Sequence, residues 1–261
     1  MLVVQEHWGL TELPFSDRPG EDNFYPAPVH LEALARLQYV VENERPVGLL
    51  CGDGGSGKTS VFAALASRLA PSVKYVFASG CNPHWLSALA QQVGRPTLSP
   101  DPSLAWRELS GGLYEQQCLA RQLVVAIDDA HQLTTPDDRW LNTLAATARA
   151  QRIRLTILLS AQPNIAEHLR PWSERSELRV VLDPWTPEDV GQFIEHAMTR
   201  AGGAPHFVAD EVAYRIWNWS GGQPRGVVQL VRRALLAGAG SGTDRLTSDL
   251  LDAAQQGLAF D

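Results

Sequence analysis

The sequence predicts an α/β fold, in which a parallel β-sheet lies between layers of helices, followed by a small helical domain. A glycine-rich segment at residues 52–59 separates a short apolar run from a helical stretch, as in a strand–loop–helix unit. Apolar runs typical of buried strands then alternate with helical patterns up to residue 182, an order that indicates a parallel sheet covered on both faces. Beyond residue 185 only helical patterns remain, which predicts the second domain.

Composition allows a full core and excludes several classes of protein. The 261 residues are 44% hydrophobic and 20% charged, which suits one α/β domain with a smaller partner domain. A net charge of −7 disfavours a dedicated nucleic-acid binder, since such proteins are usually basic. The sequence has no apolar run of membrane-spanning length and no signal-peptide core, so we expect no membrane span and a cytoplasmic location. Its three cysteines lack metal-ligand spacing and are predicted to be buried, reduced thiols.

The elements of the first part follow in chain order. Residues 1–29 are rich in proline and aromatic side chains, which predicts an ordered arm that packs on the α/β domain. The α/β domain is predicted to span residues 30–184 and to open with a helix over residues 30–44, because its apolar residues have helical spacing. Strands are predicted at residues 47–51, 73–78, 123–127, 153–159 and 179–182, and helices at residues 60–69, 83–93, 104–121 and 137–151. Gly111 and Gly112 are a candidate break in the third of these helices.

The helical domain is predicted to span residues 185–261. Its first helix is predicted over residues 187–200, with Thr186 as the N-cap and a proline at the first helical position. Further helices are predicted over residues 210–219, 224–237 and 248–258, separated by glycine-rich breaks.

Residues 52–59 form a phosphate-binding loop motif. They match the pattern G-x-x-x-x-G-K-[ST] at every fixed position, between a predicted buried strand and a predicted helix. Glycines allow successive backbone N–H groups to turn towards an anion, and the helix N-terminus adds its positive dipole. We expect Lys58 to reach the β- and γ-phosphates and Thr59 to bind Mg²⁺. The predicted nucleotide-binding residues are Gly52, Asp53, Gly54, Gly55, Ser56, Gly57, Lys58, Thr59 and Ser60.

A pair of carboxylates ends the apolar strand predicted at residues 123–127. Because the carboxyl ends of parallel strands meet at one edge of a sheet, we expect Asp128 beside the phosphate loop, where it would hold Mg²⁺ mostly through water. Asp129 is the candidate to orient and polarise the attacking water. A misplacement of a catalytic group by about 1 Å costs roughly 10²-fold in rate. Because the Asp129 side chain is short, the sequence is compatible with hydrolysis at an ordinary rate and with slow hydrolysis.

Several further segments carry a resemblance that runs nearly end to end. These are W-G-L-T-E-L-P-F at residues 8–15, F-Y at 24–25, H-L-E-A-L at 30–34, I-D-D-A-H at 127–131, L-L-S-A-Q-P at 158–163 and S-G-G-Q-P-R at 220–225. With them the sequence resembles the AAA+ ATPases of the general secretion pathway protein A (ExeA-type) family, which is related to the TniB and TnsC transposition ATPases. The resemblance implies a P-loop NTPase of the AAA+ type, a three-layer sandwich whose C-terminal helical domain is the lid. The family carries Glu where this chain has Asp129.

The resemblance also implies roles for residues outside the phosphate loop. Gln162 matches sensor 1, which helps to place the attacking water, and Arg225 matches sensor 2, which contacts the γ-phosphate of its own subunit and therefore joins the predicted nucleotide-binding residues. Arg175 matches the arginine finger offered to a neighbouring subunit. Arg170 and Arg179 are alternatives, because a polar residue follows Arg175 where the family usually has an apolar one.

The aromatic residues of the N-terminal arm have two interpretations. Phe15 and Tyr25 are candidates for the wall of an adenine pocket, since apolar and aromatic walls suit a purine. The alternative is simple packing of the arm on the helix that begins at His30.

The sequence thus predicts an ATPase that uses ATP and Mg²⁺ and releases ADP and phosphate. Its predicted catalytic residues are Lys58, Asp128, Asp129, Gln162, Arg175 and Arg225, and its predicted metal ligands are Thr59 and Asp128. We expect a homo-oligomer, a ring or a filament, that drives or switches a partner protein assembly. Family members linked to secretion often add a membrane helix and a cell-wall-binding domain, which the sequence lacks, so any such link is expected to run through a membrane partner. The alternatives are a DNA-associated regulator of the TniB and TnsC type and a slowly hydrolysing nucleotide-binding scaffold.

Overall fold

A computed structural model describes residues 2–15, 24–94, 101–164, 167–239 and 242–256 of the chain. The chain divides into two compact units, the first made of Met1–Leu31, Gly55–Gly57 and Asp183–Asp261, and the second of Glu32–Gly54 and Lys58–Leu182. The domain boundaries predicted from the sequence stay predictions. Most of the predicted loop at 96–102 and the last two residues of the predicted final helix lie outside the described residues.

The second unit is built on a five-stranded parallel sheet. Its strands in chain order are β1 Val47–Gly52, β2 Val73–Ser79, β3 Gln122–Asp128, β4 Leu155–Ala161 and β5 Leu178–Leu182. They lie in the order β2-β3-β4-β1-β5, and every neighbouring pair is parallel. β1 and β3 are buried along their whole length, as expected for strands covered on both faces. This arrangement confirms the predicted α/β fold class.

Eleven α-helices lie in the described part of the chain, together with short 3-10 turns at Ala130–Gln132 and Glu167–Leu169. The α-helices in chain order are α1 Leu2–Trp8, α2 Pro28–Glu42, α3 Lys58–Arg68, α4 Trp85–Gln92, α5 Pro102–Cys118, α6 Thr135–Ala150, α7 Arg170–Arg175, α8 Pro187–Arg200, α9 Asp210–Ser220, α10 Pro224–Gly238 and α11 Ser248–Gln256. The core of the second unit joins apolar residues of α4, α5 and α6 to the sheet.

Several predicted elements differ from those observed. α5 continues without a break through the two glycines at 111 and 112, because the buried Leu109 and Leu113 on either side pack into the core, and this burial outweighs the cost of about 1 kcal/mol for each glycine. α4 begins at Trp85 rather than at residue 83, since the main chain of Asn82 closes a turn with Trp85 first. β4 begins two residues later than predicted, because Ile153 donates its N–H to α6 at Ala148. The six residues of α7 were too few for the sequence pattern to reveal a helix.

The first unit is helical, and its core includes the N-terminal residues. α8 begins with a capping box in which the side chains of Thr186 and Asp189 each accept a hydrogen bond from the other residue's backbone N–H, as the sequence indicated for the cap. The arm residues Trp8 and Phe15 lie in the same apolar cluster as the buried residues of α8 and α10. The indole of Trp8 donates a hydrogen bond to the carbonyl of Leu235 at 2.9 Å, so the arm is fixed to α10 by a polar contact as well.

Two predictions from the sequence concern membrane-spanning helices and the state of the cysteines. No α-helix in the described ranges is both long and apolar enough to span a membrane. All three cysteines are free thiols, as predicted. Cys51 is buried, but Cys81 and Cys118 are exposed, so the prediction that the thiols are buried is wrong for these two. The predicted cytoplasmic location stays a prediction.

Candidate active site

The phosphate loop connects the end of β1 to the start of α3. β1 ends at Gly52 and α3 begins at Lys58, so the loop meets the helix N-terminus as the motif requires. Gly55 and Gly57 have φ angles of 88° and 96°, in the left-handed region that favours glycine. The loop therefore has a conformation that other residue types rarely adopt.

Lys58 is buried within the loop that it follows. Its exposed fraction is only 6%, and its Nζ donates hydrogen bonds to the carbonyl oxygens of Gly52 at 2.8 Å and Asp53 at 2.9 Å. A buried ammonium needs such acceptors, because an unpaired buried charge is strongly unfavourable. The loop thus holds its own cation in a defined position.

Thr59 and Asp128, the two predicted metal ligands, are in contact. The hydroxyl of Thr59 donates to Oδ2 of Asp128 at 2.5 Å, and Asp128 is the last residue of β3 and only 4% exposed. The hydroxyl of Ser160 in β4 donates to Oδ1 of the same carboxylate. Both carboxylate oxygens of Asp128 therefore accept hydrogen bonds, which compensates the burial of its charge.

The buried carboxylate also influences a neighbouring strand. Burial raises the pKa of the Tyr75 phenol, and the negative charge of Asp128 raises it further. Tyr75 therefore remains a neutral hydroxyl at every physiological pH.

Asp129 is held at the end of β3 by its backbone. Its φ angle of 49° lies in the left-handed region, and its N–H donates to the hydroxyl of Ser160 at 2.9 Å. Gly80 closes on it from the end of β2, where an added Cβ would lie 2.5 Å from the carbonyl oxygen of Asp129. The Asp129 carboxylate is 40% exposed and lies 4.0 Å from Nδ1 of His131 and 4.0 Å from Sγ of Cys81. The backbone is thus fixed while the carboxylate remains accessible.

Gln162 and Arg225, two further predicted site residues, lie at different places in the fold. Gln162 is exposed and follows β4 directly. Arg225 lies in the first turn of α10, and its N–H donates to the carbonyl of Gly55 at 3.2 Å. Its Cβ would be 2.6 Å from a Cβ added at Gly55, so Arg225 touches the phosphate loop within the first unit. Its role as sensor 2 stays a prediction.

The three arginine-finger candidates differ in their partners. Arg175 donates to the side-chain oxygen of Asn142 at 3.1 Å, and its guanidinium lies 5.3 Å from the ring centre of Trp172. Arg170 and Arg179 line a small cavity of about 270 Å³. All three are exposed, so the choice among them stays a prediction.

Phe15 and Tyr25 are part of the packing of the first unit. Phe15 is 5% exposed, and its ring centre lies 5.5 Å from that of Phe193. Tyr25 has edge contacts with Trp185 at 5.7 Å and Phe193 at 5.2 Å, and burial, followed by the charge of Asp189, raises the pKa of its phenol. These are packing contacts, but they are made with Trp185 and α8 rather than with the helix that contains His30, as the alternative had it. The adenine role stays a prediction.

Comparison with known proteins identifies the type of domain that carries this site. Residues 41–169 match the family model of the AAA domain. This segment is similar to an AAA domain. The matched segment contains the phosphate loop, the acid pair and Gln162, whereas Arg175 and Arg225 lie beyond its end.

The curated relative and the solved structures agree with this assignment. The chain is 25% identical to general secretion pathway protein A of Aeromonas hydrophila over 255 residues, which is 94% of the chain but 46% of that protein, so the chain spans about half the length of this relative. The Aeropyrum pernix ORC1 protein in complex with DNA has a TM-score of 0.72 at 20% identity, covering 91% of this chain and 68% of that one. The ORC2 protein of the same organism has a TM-score of 0.73 at 16% identity, with 94% and 71% covered. The Thermotoga maritima RuvB Holliday junction branch migration motor has a TM-score of 0.60 at 19% identity, with 94% and 73% covered.

These findings confirm the P-loop AAA+ fold and the resemblance to general secretion pathway protein A. The structural likenesses are below 25% identity, so they establish the fold alone. The relation to TniB and TnsC stays a prediction. AAA domains are domains of the ATPase type, and domains of this type generally bind ATP and Mg²⁺.

Ser160 is a site residue that the sequence reasoning missed. It is fully buried in β4, donates to Asp128 and accepts from the N–H of Asp129. A signal was present, because a hydroxyl inside an otherwise apolar strand needs a buried partner. The sequence does not say that this partner is the acid pair, since the contact depends on the pairing of β3 with β4.

Proposed function

We propose that this chain is an ATPase that binds ATP with Mg²⁺ at residues 52–59 and hydrolyses it by in-line attack of water on the γ-phosphate. The single observation that carries the proposal is the contact of Thr59 with Asp128, at the place where β3 ends beside the loop. An AAA domain over residues 41–169 supports the same conclusion.

The donor set at Thr59 and Asp128 fits Mg²⁺. This ion prefers oxygen ligands and is usually bound by one or two carboxylates, substrate phosphates and water. Here one buried carboxylate and one hydroxyl meet at 2.5 Å. When bound, Mg²⁺ supplies positive charge that neutralises the phosphate oxygens.

Lys58 and the loop amides bind the phosphates in this proposal. The two carbonyl oxygens that now accept from Nζ of Lys58 keep the ammonium in the loop, where phosphate oxygens of ATP can replace them as acceptors. Glycine-rich turns direct backbone N–H groups at the same anion.

Asp129 and Gln162 place the attacking water in this proposal, and Arg225 and an arginine finger stabilise the charge that develops. Asp129→Asn keeps the shape of the side chain but removes its basicity, so we expect the rate of phosphate release to fall about 10²- to 10⁴-fold with little change in nucleotide affinity. Asp129→Glu tests the slow-scaffold alternative. A large gain in rate would support that alternative, whereas ordinary turnover by the wild type with no gain in the variant would remove it.

The decisive experiment measures Mg²⁺-dependent phosphate release and nucleotide affinity. The sequence has two lysines, so Lys74→Ala is a matched control for Lys58→Ala. We expect Lys58→Ala to abolish both binding and release, and Lys74→Ala to retain both. Equal nucleotide affinity in the two variants, or no affinity in the wild type, would contradict the proposal.

The larger role is proposed from the curated relative. The resemblance to general secretion pathway protein A supports nucleotide-dependent oligomerisation that drives or switches a partner assembly. Light scattering would measure the mass of the protein with ADP, with a non-hydrolysable ATP analogue, and with the analogue and duplex DNA. We expect the analogue alone to raise the mass. A rise only when DNA is present would favour the DNA-associated alternative, against which the net charge of −7 counts.

A further inference from the structure

His30 touches the phosphate loop from the start of α2. The imidazole is only 4% exposed, and its Nε2 lies 2.8 Å from the carbonyl oxygen of Ser56. The indole N–H of Trp185 points at Nδ1 of the same ring at 3.4 Å, with the two rings edge to face at 5.7 Å. All three residues belong to the first unit.

The two partners determine the protonation of His30. The carbonyl of Ser56 can only accept, so Nε2 must carry the proton, and the indole of Trp185 can only donate, so Nδ1 must be free of one. Burial lowers the pKa of His30, and this effect outweighs the opposing bond to Ser56 and the negative charge of Asp189. The imidazole is therefore neutral and in a single tautomer.

The hydrogen bond from His30 to the carbonyl of Ser56 determines the direction of a backbone N–H in the phosphate loop. The carbonyl of Ser56 and the N–H of Gly57 belong to one planar trans peptide group, in which they point in opposite directions. Holding the carbonyl towards His30 therefore directs the N–H of Gly57 away from His30. His30 can approach the loop this closely only because Gly57 has no side chain. A Cβ added at Gly57 would lie 2.6 Å from Nε2 of His30.

The position of Trp185 is fixed in turn by the S-G-G-Q-P-R segment. Its N–H donates to the carbonyl of Gly222 at 2.9 Å, and its own carbonyl accepts the indole N–H of Trp217 at 2.8 Å. Gly222 has a φ angle of 70°, and an added Cβ would lie 2.4 Å from the carbonyl oxygen of Trp185. The indole that faces His30 therefore belongs to a residue whose own main chain is held by two hydrogen bonds.

We propose that His30 is a positioning residue for nucleotide binding, which fixes the Ser56–Gly57 peptide so that the Gly57 N–H is available to a nucleotide phosphate. The inference rests on the proposed function, because it concerns the same loop. It adds a residue that lies outside the phosphate-loop motif and acts through the loop backbone rather than by touching the nucleotide.

Two amide substitutions separate the donor of His30 from its acceptor. His30→Gln can place an amide N–H where Nε2 now donates to Ser56, whereas His30→Asn is too short to reach Ser56 and reproduces only the acceptor facing Trp185. We expect the dissociation constant for Mg·ADP, measured by titration calorimetry, to rise about tenfold in His30→Asn and less than threefold in His30→Gln. A denaturant unfolding curve for each variant confirms that it is folded.

The outcomes decide between this inference and the function on which it rests. If the wild type binds no Mg·ADP, both fail. If the wild type binds Mg·ADP but the two variants have equal affinity for it, the positioning role alone is overturned, whether both keep or both lose that affinity. The same holds if only His30→Gln binds more weakly. If His30→Asn does not fold, the folded His30→Gln variant decides by itself, since affinity within threefold of the wild type supports the role and a loss of tenfold or more overturns it.

Discussion

At two glycines of the phosphate loop there is no room for a side chain. A different residue occupies the space in each case. A Cβ on Gly55 would meet the side chain of Arg225, and a Cβ on Gly57 would meet the ring of His30. Both glycines also have positive φ angles. The motif glycines are therefore required by contacts with other side chains as well as by the turn.

This predicts unequal effects of alanine within one loop. Gly57→Ala combines an unfavourable φ with a contact at 2.6 Å, so we expect it to lower the free energy of unfolding by about 1–3 kcal/mol. Gly54→Ala is the matched control, because in the part of the chain that the structure describes no atom of another segment lies within 4 Å of its added Cβ. Urea unfolding of the apo protein measures both, and equal destabilisation of the two variants would contradict the argument.

The carboxylate of Asp128 depends on two hydroxyl donors. Thr59 and Ser160 donate to different oxygens of this buried group, and Ser160 also accepts from the backbone of Asp129. Ser160 therefore joins the last residue of β3 to the acid that follows it.

Substitutions within β4 test this arrangement. Ser160→Ala leaves the buried carboxylate short of one donor, so we expect a loss of about 1–3 kcal/mol in the free energy of unfolding, together with slower phosphate release. Thr156→Val is the control, because Thr156 is equally buried in the same strand but its hydroxyl has no hydrogen-bond partner among the described residues. We expect this variant to be at least as stable as the wild type. If Ser160→Ala were also neutral in both measurements, the hydroxyl would have no role at the site.

At the scale of elements, the start of α6 connects a helix cap to the core. Asp137 occupies the N3 position, where its carboxylate accepts from the backbone and side chain of Thr134, and from the indole N–H of Trp85 in α4 at 2.8 Å. Burial alone would raise the pKa of Asp137, but the bonds from Thr134 and Trp85 outweigh it and lower the pKa below its usual value of 3.8.

A lowered pKa predicts the direction of an acid effect. The unfolded chain takes up the proton first as the pH falls, so the stability that Asp137 contributes is present above its usual pKa and is lost as the pH falls through the lowered value. We expect Asp137→Asn to lose less stability than the wild type between pH 5 and the lowered pKa, and Trp85→Phe, which removes one donor, to lie between them. Unfolding curves at a series of pH values measure this, and parallel losses in all three proteins would refute it.

At the scale of the whole molecule, a ligand that binds only the folded state stabilises it by mass action. We expect Mg·ADP at 100 times its dissociation constant to raise the free energy of unfolding by about 2.7 kcal/mol. Lys58→Ala should lose this gain, and Lys74→Ala should keep it. Thermal or denaturant unfolding with and without the nucleotide provides the measurement, and a gain that persists in Lys58→Ala would place the nucleotide elsewhere.

The sequence by itself determined the features whose cause is local. The phosphate loop is a continuous motif of eight residues, Asp128 ends an apolar run, and the cap of α8 is formed by Thr186 and Asp189, three residues apart. The order of strands and helices also follows from short-range periodicity, which is why the parallel α/β class was predictable.

Only the tertiary structure decided the features that join distant parts of the chain. Ser160 reaches Asp128 across 32 residues because β3 pairs with β4, and His30 reaches Ser56 across 26 residues. Core packing keeps α5 continuous through glycines that disfavour a helix. No local pattern encodes such contacts, because their energy comes from burying groups against partners that only the folded chain brings together.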